Sequence, residues 1–402
     1  INNSNSTHIL LSLQMMPFLI SSTNVFNYLI ENRICQPQEQ PLSKIELKSA
    51  KNFNLLISLP DGRQLLVKQE RYDQNGKTLG EFIDEWRIHD FCQKFPELNH
   101  LPSSLSEVIH FDLENSIIVF NYLNQYQDLA EFYAKGREFP AEISQLVGTT
   151  IAAIHRKTIN NKSYQNFFEN PLKSHNIIKG LDRITPQIFG QLPADGLRFF
   201  ALYQRYDNLG KAIVQLNQAF TPCCLTHNDL KLNNILLSLN WETELEDKLP
   251  GNKNIIRLID WERGNWGDPA NDLGTIIASY LQIWLYSIVA NKTIPIEECL
   301  RLAAIPLTMI QPSLSTLVTG YLTNFPEILE LRPDFWQLVM QFSGLALIRA
   351  IQARLQYEKT FDNSGICILQ VAKSLLCRPQ ASISTILGME FSTIISKNLS
   401  LV

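Results

Sequence analysis

This chain has little charge of either sign in excess. Lys and Arg total 35 against 39 Asp and Glu, a net charge of −4, so the basic surplus that a nucleic-acid backbone demands is missing. Cysteine is sparse and scattered: seven residues, with Cys223 and Cys224 adjacent and no C-x-x-C. An odd, unspaced set predicts reduced thiols in a cytoplasmic protein rather than a disulfide framework. The seven histidines form no zinc-type set with those cysteines. Cys223 and Cys224 read as small apolar packing residues. Long apolar runs are also missing. HILLSLQMMPFLI, 13 residues broken by Pro17, is too short to span a bilayer. It has neither the basic leader nor the small-residue cleavage site of a secretory signal. Internal repeats and low-complexity tracts are absent. What remains is a chain of 402 residues, 45% hydrophobic and 18% charged, enough for two lobes around a large core.

One run carries chemistry. Residues 225–237 read LTHNDLKLNNILL, with His227, Asp229 and Asn234 spaced H-x-D-x-x-x-x-N. Phosphoryl transfer from ATP needs a carboxylate to orient an acceptor hydroxyl and take its proton, and an amide oxygen nearby to hold magnesium. A tight loop between Asp229 and Asn234 can aim both side chains into one cleft, and the apolar Ile235–Leu237 predicts a strand that pins it. Residues 255–260, IIRLID, predict a short buried strand ending in Asp260, a second magnesium ligand against the ATP phosphates. The polar LNWETELEDKLPGNKN between them, closed by Pro250-Gly251, reads as an elongated hairpin connection. His227 is expected to position the loop by hydrogen bonding, since Asp229 is placed for proton transfer. Glu262, two residues past Asp260, is expected on the same side of an extended segment, where it reaches metal or acceptor or else lies on the surface.

HNDLKLNNILL and LIDWERGNWGDPANDLG resemble the catalytic and metal loops of the aminoglycoside phosphotransferase and choline kinase group. The resemblance runs from about residue 25 to about residue 355. It implies a protein-kinase-like α+β fold: a small N-terminal antiparallel-sheet lobe and a larger, mainly helical C-terminal lobe, with ATP and Mg²⁺ as cofactors. Lys231, two residues after Asp229, stands where Ser/Thr protein kinases usually carry a lysine. Asp272 in NDLG matches the aspartate that bonds backbone amides of the catalytic loop; as a helix N-terminal residue it can do both jobs. Asp268 reads as structural.

The other parts are sought where such a fold needs them. NLLISLPDGRQLLVKQE, residues 54–70, predicts two strands around the turn Pro60-Asp61-Gly62-Arg63. Lys68, at the end of the second strand, resembles the lysine that contacts the α- and β-phosphates. LGEFIDEWRIHDFCQK, residues 79–94, has helical spacing. Glu81 and Glu85 on it are both candidates to hold Lys68, and Glu85 is preferred because it precedes the apolar pair that anchors the helix. The phosphate-covering loop falls in LKSAKNFNLL, which lacks glycine; Ser49, Ala50 and Asn52 are its small and polar residues. Gly76-Lys77-Thr78 is not a P-loop, since Arg71 stands where that motif needs glycine. The strand pattern Ile117–Tyr122 ends at a resemblance to the adenine-binding hinge, Asn121, Tyr122 and Leu123.

These readings divide the chain into an N-terminal extension 1–22, an ATP-binding lobe 23–122 and a catalytic and acceptor-binding lobe 123–402. Because the chain opens on Ile1, a leading segment is expected to be missing or processed. The extension is expected as a helix on the small lobe or a docking segment. STNVFNYLIENRIC reads as a helix capped by Thr23 or Asn24, and CQPQEQPLSK as a linker. EISQLVGTTIAAIHRKT and LRFFALYQRYDNLGKAIVQLNQAF each predict one helix, the first preceded by Pro140. The chain from 272 to about 390 reads as apolar helices. Tyr280, Trp284, Tyr286, Phe335, Trp336 and Phe342 offer either a cation–π cage for a quaternary ammonium or ordinary packing. Arg349 and Arg354 bind an anion or form surface pairs. The expected activity is ATP- and Mg²⁺-dependent phosphotransfer to the hydroxyl of a small molecule. Two alternatives are a peptide Ser/Thr kinase of lanthipeptide-like precursor maturation, working with a separate elimination partner, and a non-catalytic kinase-fold scaffold.

Overall fold

The computed structural model describes residues 18–48, 50–98, 100–136, 138–169, 181, 194–246, 255–288 and 294–389. Their contacts group into two units. One comprises residues up to Trp86 together with Glu107–Leu123; the other comprises Arg87–Ser106 and everything from Asn124 on. No described helix is long and apolar enough to cross a membrane.

The first unit is built on a five-stranded antiparallel sheet: β1 (Lys44–Lys48), β2 (Phe53–Ser58), β3 (Gln64–Gln69), β4 (Glu107–Asp112) and β5 (Ile117–Asn121), in the order β1-β2-β3-β5-β4. The predicted turn joins β2 to β3. Leu59 N–H donates to the Arg63 carbonyl (2.8 Å), and Gly62 takes φ +89°, a conformation open to glycine without steric cost. Alternation then sorts the side chains. Leu55, Ile57, Leu65, Val67, Ile117 and Val119 form one core with Val25, Phe26 and Leu29 of α1 (Val25–Glu31). On the other face Ile118 and Phe120 pack against Phe82 of α2 (Glu81–Lys94), with Leu66 beside them.

The structure adds three local details in this unit, the first of them a correction to the expected cap. Asn24 precedes α1 but does not cap it: its side chain turns back to the Ser21 N–H (2.7 Å) and the Leu19 carbonyl (2.8 Å). The Pro- and Gln-rich linker contains a 3₁₀ turn, Pro37–Leu42, held by reciprocal bonds between Gln36 and Glu39. The start of α2 is held by Glu70, whose carboxylate accepts the N–H groups of Gly80 (2.8 Å) and Phe82 (2.7 Å). The expected N-terminal helix lies outside the described residues. Phe18 and Ile20 are tied to Gln69 of β3 at 2.7 and 2.8 Å.

The second unit is mostly helical. Its short strands are β6 (Tyr126–Asp128), β7 (Cys224–Thr226), β8 (Ile235–Ser238), β9 (Ile256–Leu258) and β10 (Asn265–Gly267). They form an antiparallel sheet β6-β8-β9 and the pair β7–β10. Helices α3 (Leu129–Gly136), α4 (Ala141–Thr158) and α5 (Lys162–Phe168) precede α6 (Ala194–Gln204) and α7 (Asp207–Ala219). The single helix expected over 197–220 is therefore two. The chain breaks at Arg205-Tyr206, where Tyr206 departs from helical dihedrals (φ −105°, ψ 84°) and Asp207 opens the next first turn. The connection expected as a plain hairpin begins with a helix, α8 (Trp241–Glu246). Residues 247–254 of it lie outside the described set.

Beyond β10 come α9 (Pro269–Tyr286), α10 (Ile296–Arg301), α11 (Leu307–Asn324), α12 (Ile328–Leu331), α13 (Phe335–Tyr357), α14 (Asn363–Cys377) and α15 (Pro379–Leu387). Their apolar faces make one large core with α3 to α7. Helices α4 and α11 meet backbone to backbone at two glycines. A Cβ on Gly148 would stand 2.1 Å from the Leu317 carbonyl oxygen, and one on Gly320 would stand 2.3 Å from that of Gln145.

Candidate active site

The H-x-D-x-x-x-x-N motif starts from β7, which is wholly buried and paired with β10. The chain then turns sharply. Asn228 takes φ +62°, a left-handed conformation tolerated by asparagine better than by most residues. Asp272, in the first turn of α9, fixes that turn: its two carboxylate oxygens accept the N–H groups of His227 and Asn228, each at 2.7 Å. Asp272 is itself buried beside His155 of α4 (Nε2 at 3.3 Å), whose Nδ1 lies 3.0 Å from the Tyr321 hydroxyl of α11. Three helices thus converge on the backbone of two loop residues.

His227 is buried against Trp261, ring centroids 4.6 Å apart. Its Nδ1 accepts the Asp229 N–H (3.3 Å), while Nε2 faces the Ile259 carbonyl (2.8 Å) and must donate to it. Both ring nitrogens are used in joining the Asp229 loop to the segment that leads to Asp260. Asn234 completes the join. Its amide nitrogen donates to the Asp229 carbonyl (2.9 Å), and its own carbonyl accepts the Ile259 N–H (2.9 Å). Leu232 N–H donates to Ser279 Oγ of α9 (3.1 Å).

Asp260 follows at φ +59°, and a turn from Trp261 to Gly264 follows that, closed by Gly264 N–H to the Trp261 carbonyl (2.7 Å). The segment is therefore not extended, and the alternation argument that put Glu262 beside Asp260 does not hold. The turn brings a residue not singled out before. Arg263 Nη1 lies 3.9 Å from Asp229 Oδ1, and the Arg263 carbonyl accepts from Asn228 Nδ2 (3.1 Å). Lys231 Nζ is 3.0 Å from Asp229 Oδ2. Only the tertiary turn places Arg263 there, so spacing in the sequence carried no signal for it.

The donor chemistry suits magnesium. With its nitrogen committed to the Asp229 carbonyl, Asn234 has its amide oxygen to offer, and Asp260 adds a carboxylate: two hard oxygen donors on loops tied by backbone bonds. Mg²⁺ is commonly held by one or two such side chains, with phosphates and water completing the shell. Among the described residues no three His, Cys, Asp or Glu side chains are gathered as a metal site. Asp268 caps α9 through the Ala270 N–H (3.0 Å) and pairs with Arg332 (3.2 Å); burial raises its carboxyl above the usual range, and Arg332 works against that rise.

Within the first unit Lys68 lies on β3, on the Phe82 face of the sheet, with Nζ 5.0 Å from the Phe120 ring centroid. Glu85 on α2 is buried, whereas Glu81 pairs with Lys51. Of the loop residues named for phosphate, Ser49 lies outside the described residues. The hinge triplet is only partly available for adenine. Tyr122 N–H is committed to the Gln64 carbonyl (2.7 Å) and the Asn121 side chain to Glu107 (2.8 Å), while Leu123 is buried.

The aromatic cage does not form. Tyr280, Trp284, Phe335, Trp336 and Phe342 are buried in the large core, and Tyr280 bonds the Tyr133 hydroxyl at 2.9 Å. Tyr286 is exposed and covered by Arg354, which also pairs with Glu358 (3.1 Å).

The ecdysteroid kinase-like family model matches residues 106–284, the span that holds the Asp229, Asn234, Asp260 and Asp272 loops. No curated protein matches the chain in sequence. Among solved structures, a Plasmodium vivax ethanolamine kinase covers 93% of this chain with 92% of its own at 12% identity and a TM-score of 0.50. A choline kinase from Cryptosporidium parvum covers 93% with 100% of its own at 10% identity and a TM-score of 0.50. The ADP-bound aminoglycoside phosphotransferase APH(2'')-Ib covers 89% with 99% of its own at 13% identity and a TM-score of 0.45. At these identities the likeness is one of fold: the chain has the protein-kinase-like fold of the choline and ethanolamine kinases.

Proposed function

We propose that the protein is an ATP- and Mg²⁺-dependent phosphotransferase that moves the γ-phosphate to the hydroxyl of a small molecule. The observation that carries this is the hydrogen-bonded knot of Asp229, Asn234 and Ile259-Asp260. A base and two hard-oxygen donors are held on adjoining loops, and the loop backbone is fixed by Asp272 rather than by the reactive side chains. The ecdysteroid kinase-like match favours a small acceptor over a peptide.

In this reading Asp229 accepts the proton of the acceptor hydroxyl as its oxygen bonds to the γ-phosphorus. The bond from that phosphorus to the bridging oxygen breaks, and ADP leaves with the electron pair. Bound magnesium would neutralise charge developing on the phosphates. Asn234 and Asp260 are the residues to hold it, Lys68 steadied by Glu85 the residue to contact phosphate, and Lys231 a second cation for the transferring group. Adenine is assigned to the backbone around Leu123.

Asp229→Asn keeps size and hydrogen-bonding shape but cannot take the proton. Transfer is expected to fall about 10²–10⁴-fold, the usual worth of a general base, with ATP affinity unchanged. Single-turnover transfer and nucleotide titration measure the two separately. Near wild-type turnover by this variant on its true acceptor would refute the assignment.

A further inference from the structure

We propose that Asn54 is a phosphate-binding residue, working beside Lys68 in place of a glycine-rich loop. The proposal rests on the phosphotransferase reading and adds to it how the nucleotide's phosphates are held. A backbone cradle for phosphate needs successive N–H groups turned to one side by neighbours of opposite hand. The connection between β1 and β2 has no glycine, and none of its described residues, 50–52, takes a positive φ. Lys51 in that connection is paired instead with Glu81 of α2. In this reading the donors are side chains.

Strand register supplies them. Lys48 of β1 stands opposite Asn54 of β2, and Asn54 stands opposite Lys68 of β3. Directly opposed residues share a face, with Cβ atoms about 4.5–5.5 Å apart. The row continues through Ile118 and Phe111, on the face that packs against Phe82 of α2. Lys48, at the outer edge, is paired with Glu46 (2.8 Å). Asn54 is the unsatisfied member. It is 9% exposed, and its Oδ1 is buried with no hydrogen-bond partner among the described residues. Such groups are rare, and asparagine is a poor strand former, so stability alone favours an apolar residue here. A phosphate site beside a lysine favours the amide. Its oxygen accepts from an ammonium group while its nitrogen donates to an anionic oxygen. The Lys68 ammonium has three donors, enough for Glu85, Asn54 Oδ1 and a phosphate oxygen. Asn54 Nδ2 then donates to the same phosphate. A carboxylate at this position would repel the phosphate, and a second lysine would repel Lys68.

The test is calorimetric titration of the full chain with ADP and with adenosine, alongside thermal unfolding without ligand. Asn54→Leu should bind ADP about tenfold more weakly, the worth of one hydrogen bond to a charged group. Asn54→Asp, of the same size, should bind ADP more weakly still, and it decides the matter alone if the leucine variant does not fold. Adenosine has no phosphate and should bind both variants as it binds wild type. Without ligand, Asn54→Leu should melt at or above the wild-type temperature, since it removes an unpaired buried amide. A merely structural asparagine would instead lower the melting temperature and leave the ratio of ADP to adenosine affinity unchanged. That result would overturn the inference and leave the phosphotransferase reading standing. So would wild-type affinity for ADP in either variant. A wild-type chain that binds neither ADP nor adenosine would overturn the phosphotransferase reading, and the inference with it.

Discussion

Asp272 is the residue on which the Asp229 loop hangs. It accepts two backbone N–H groups at 2.7 Å, one buried and one half-buried, and lies beside His155. Asp272→Ala leaves both amides without their acceptor, that of His227 in a dry place. An unsatisfied buried donor costs about 1–3 kcal/mol, so a loss of about 2–5 kcal/mol is expected, read by urea unfolding. Asp272→Asn, which can still accept one of the two bonds, should lose less; equal losses would argue against the clamp. The aspartate itself was legible in the sequence because the NDLG motif that holds it is local. Its partners were not. They lie 45 residues away at His227 and 117 away at His155, and nothing in spacing or composition announces a bond across such distances. Arg263 escaped for a related reason: it meets Asp229 through the turn that Asp260 initiates at positive φ.

Between elements, the contact of α4 with α11 is governed by Gly148 and Gly320. Gly148→Ala would drive a Cβ to 2.1 Å from a backbone oxygen that cannot move without shifting a helix. Overpacking of this kind costs about 1–3 kcal/mol or more. Gly210→Ala in α7 meets nothing within 4 Å and should stabilise by about 0.5–1 kcal/mol, the ordinary helical preference for alanine. Thermal melts of the two variants should move in opposite directions. A second prediction concerns α2. Burial lowers His89 to about 4, so the folded chain holds it neutral. As pH falls through 6.5 the unfolded chain binds the proton first. Stability present above 6.5 is therefore lost progressively down to about 4, by about 1–2 kcal/mol after allowing for partial exposure. Unfolding measured from pH 7 to 4 should show a shallower decline in His89→Gln than in wild type. The helices themselves were readable where apolar spacing is long, as in α4. The break between α6 and α7 was not, because the apolar period continues through Tyr203, Tyr206 and Leu209 across a local departure at Tyr206.

For the molecule as a whole, ligand binding and folding are linked: whatever binds only the native chain raises its melting temperature. If Asp260 and Asn234 hold magnesium, ATP should stabilise wild type more with magnesium than without. Asp260→Ala should erase that difference, while Lys68→Ala should reduce the ATP effect and keep its magnesium dependence. Differential scanning fluorimetry reads both. An Asp260→Ala protein with the wild-type magnesium increment would remove the residue from the metal assignment. The fold class was legible in outline, an antiparallel sheet followed by a mostly helical remainder, since the sheet-forming alternation of residues 54–70 and the helical stripes beyond 140 differ in period. The partition of α2 was not: one continuous pattern over residues 79–94 supplies contacts to both groups, with the division after Trp86.

The side chain of Asp229 bonds Lys231 and lies 3.9 Å from Arg263, whereas the loop's shape is held by Asp272, by the His227 ring and by the Asn234 amide. Chemistry and architecture are therefore separable at this position. An Asp229→Asn protein should be an inert but fully shaped receptor, able to retain nucleotide and acceptor together because it cannot consume them. Immobilised with MgATP and exposed to a metabolite extract, such a protein becomes bait, and mass spectrometry of what it releases would name the acceptor directly.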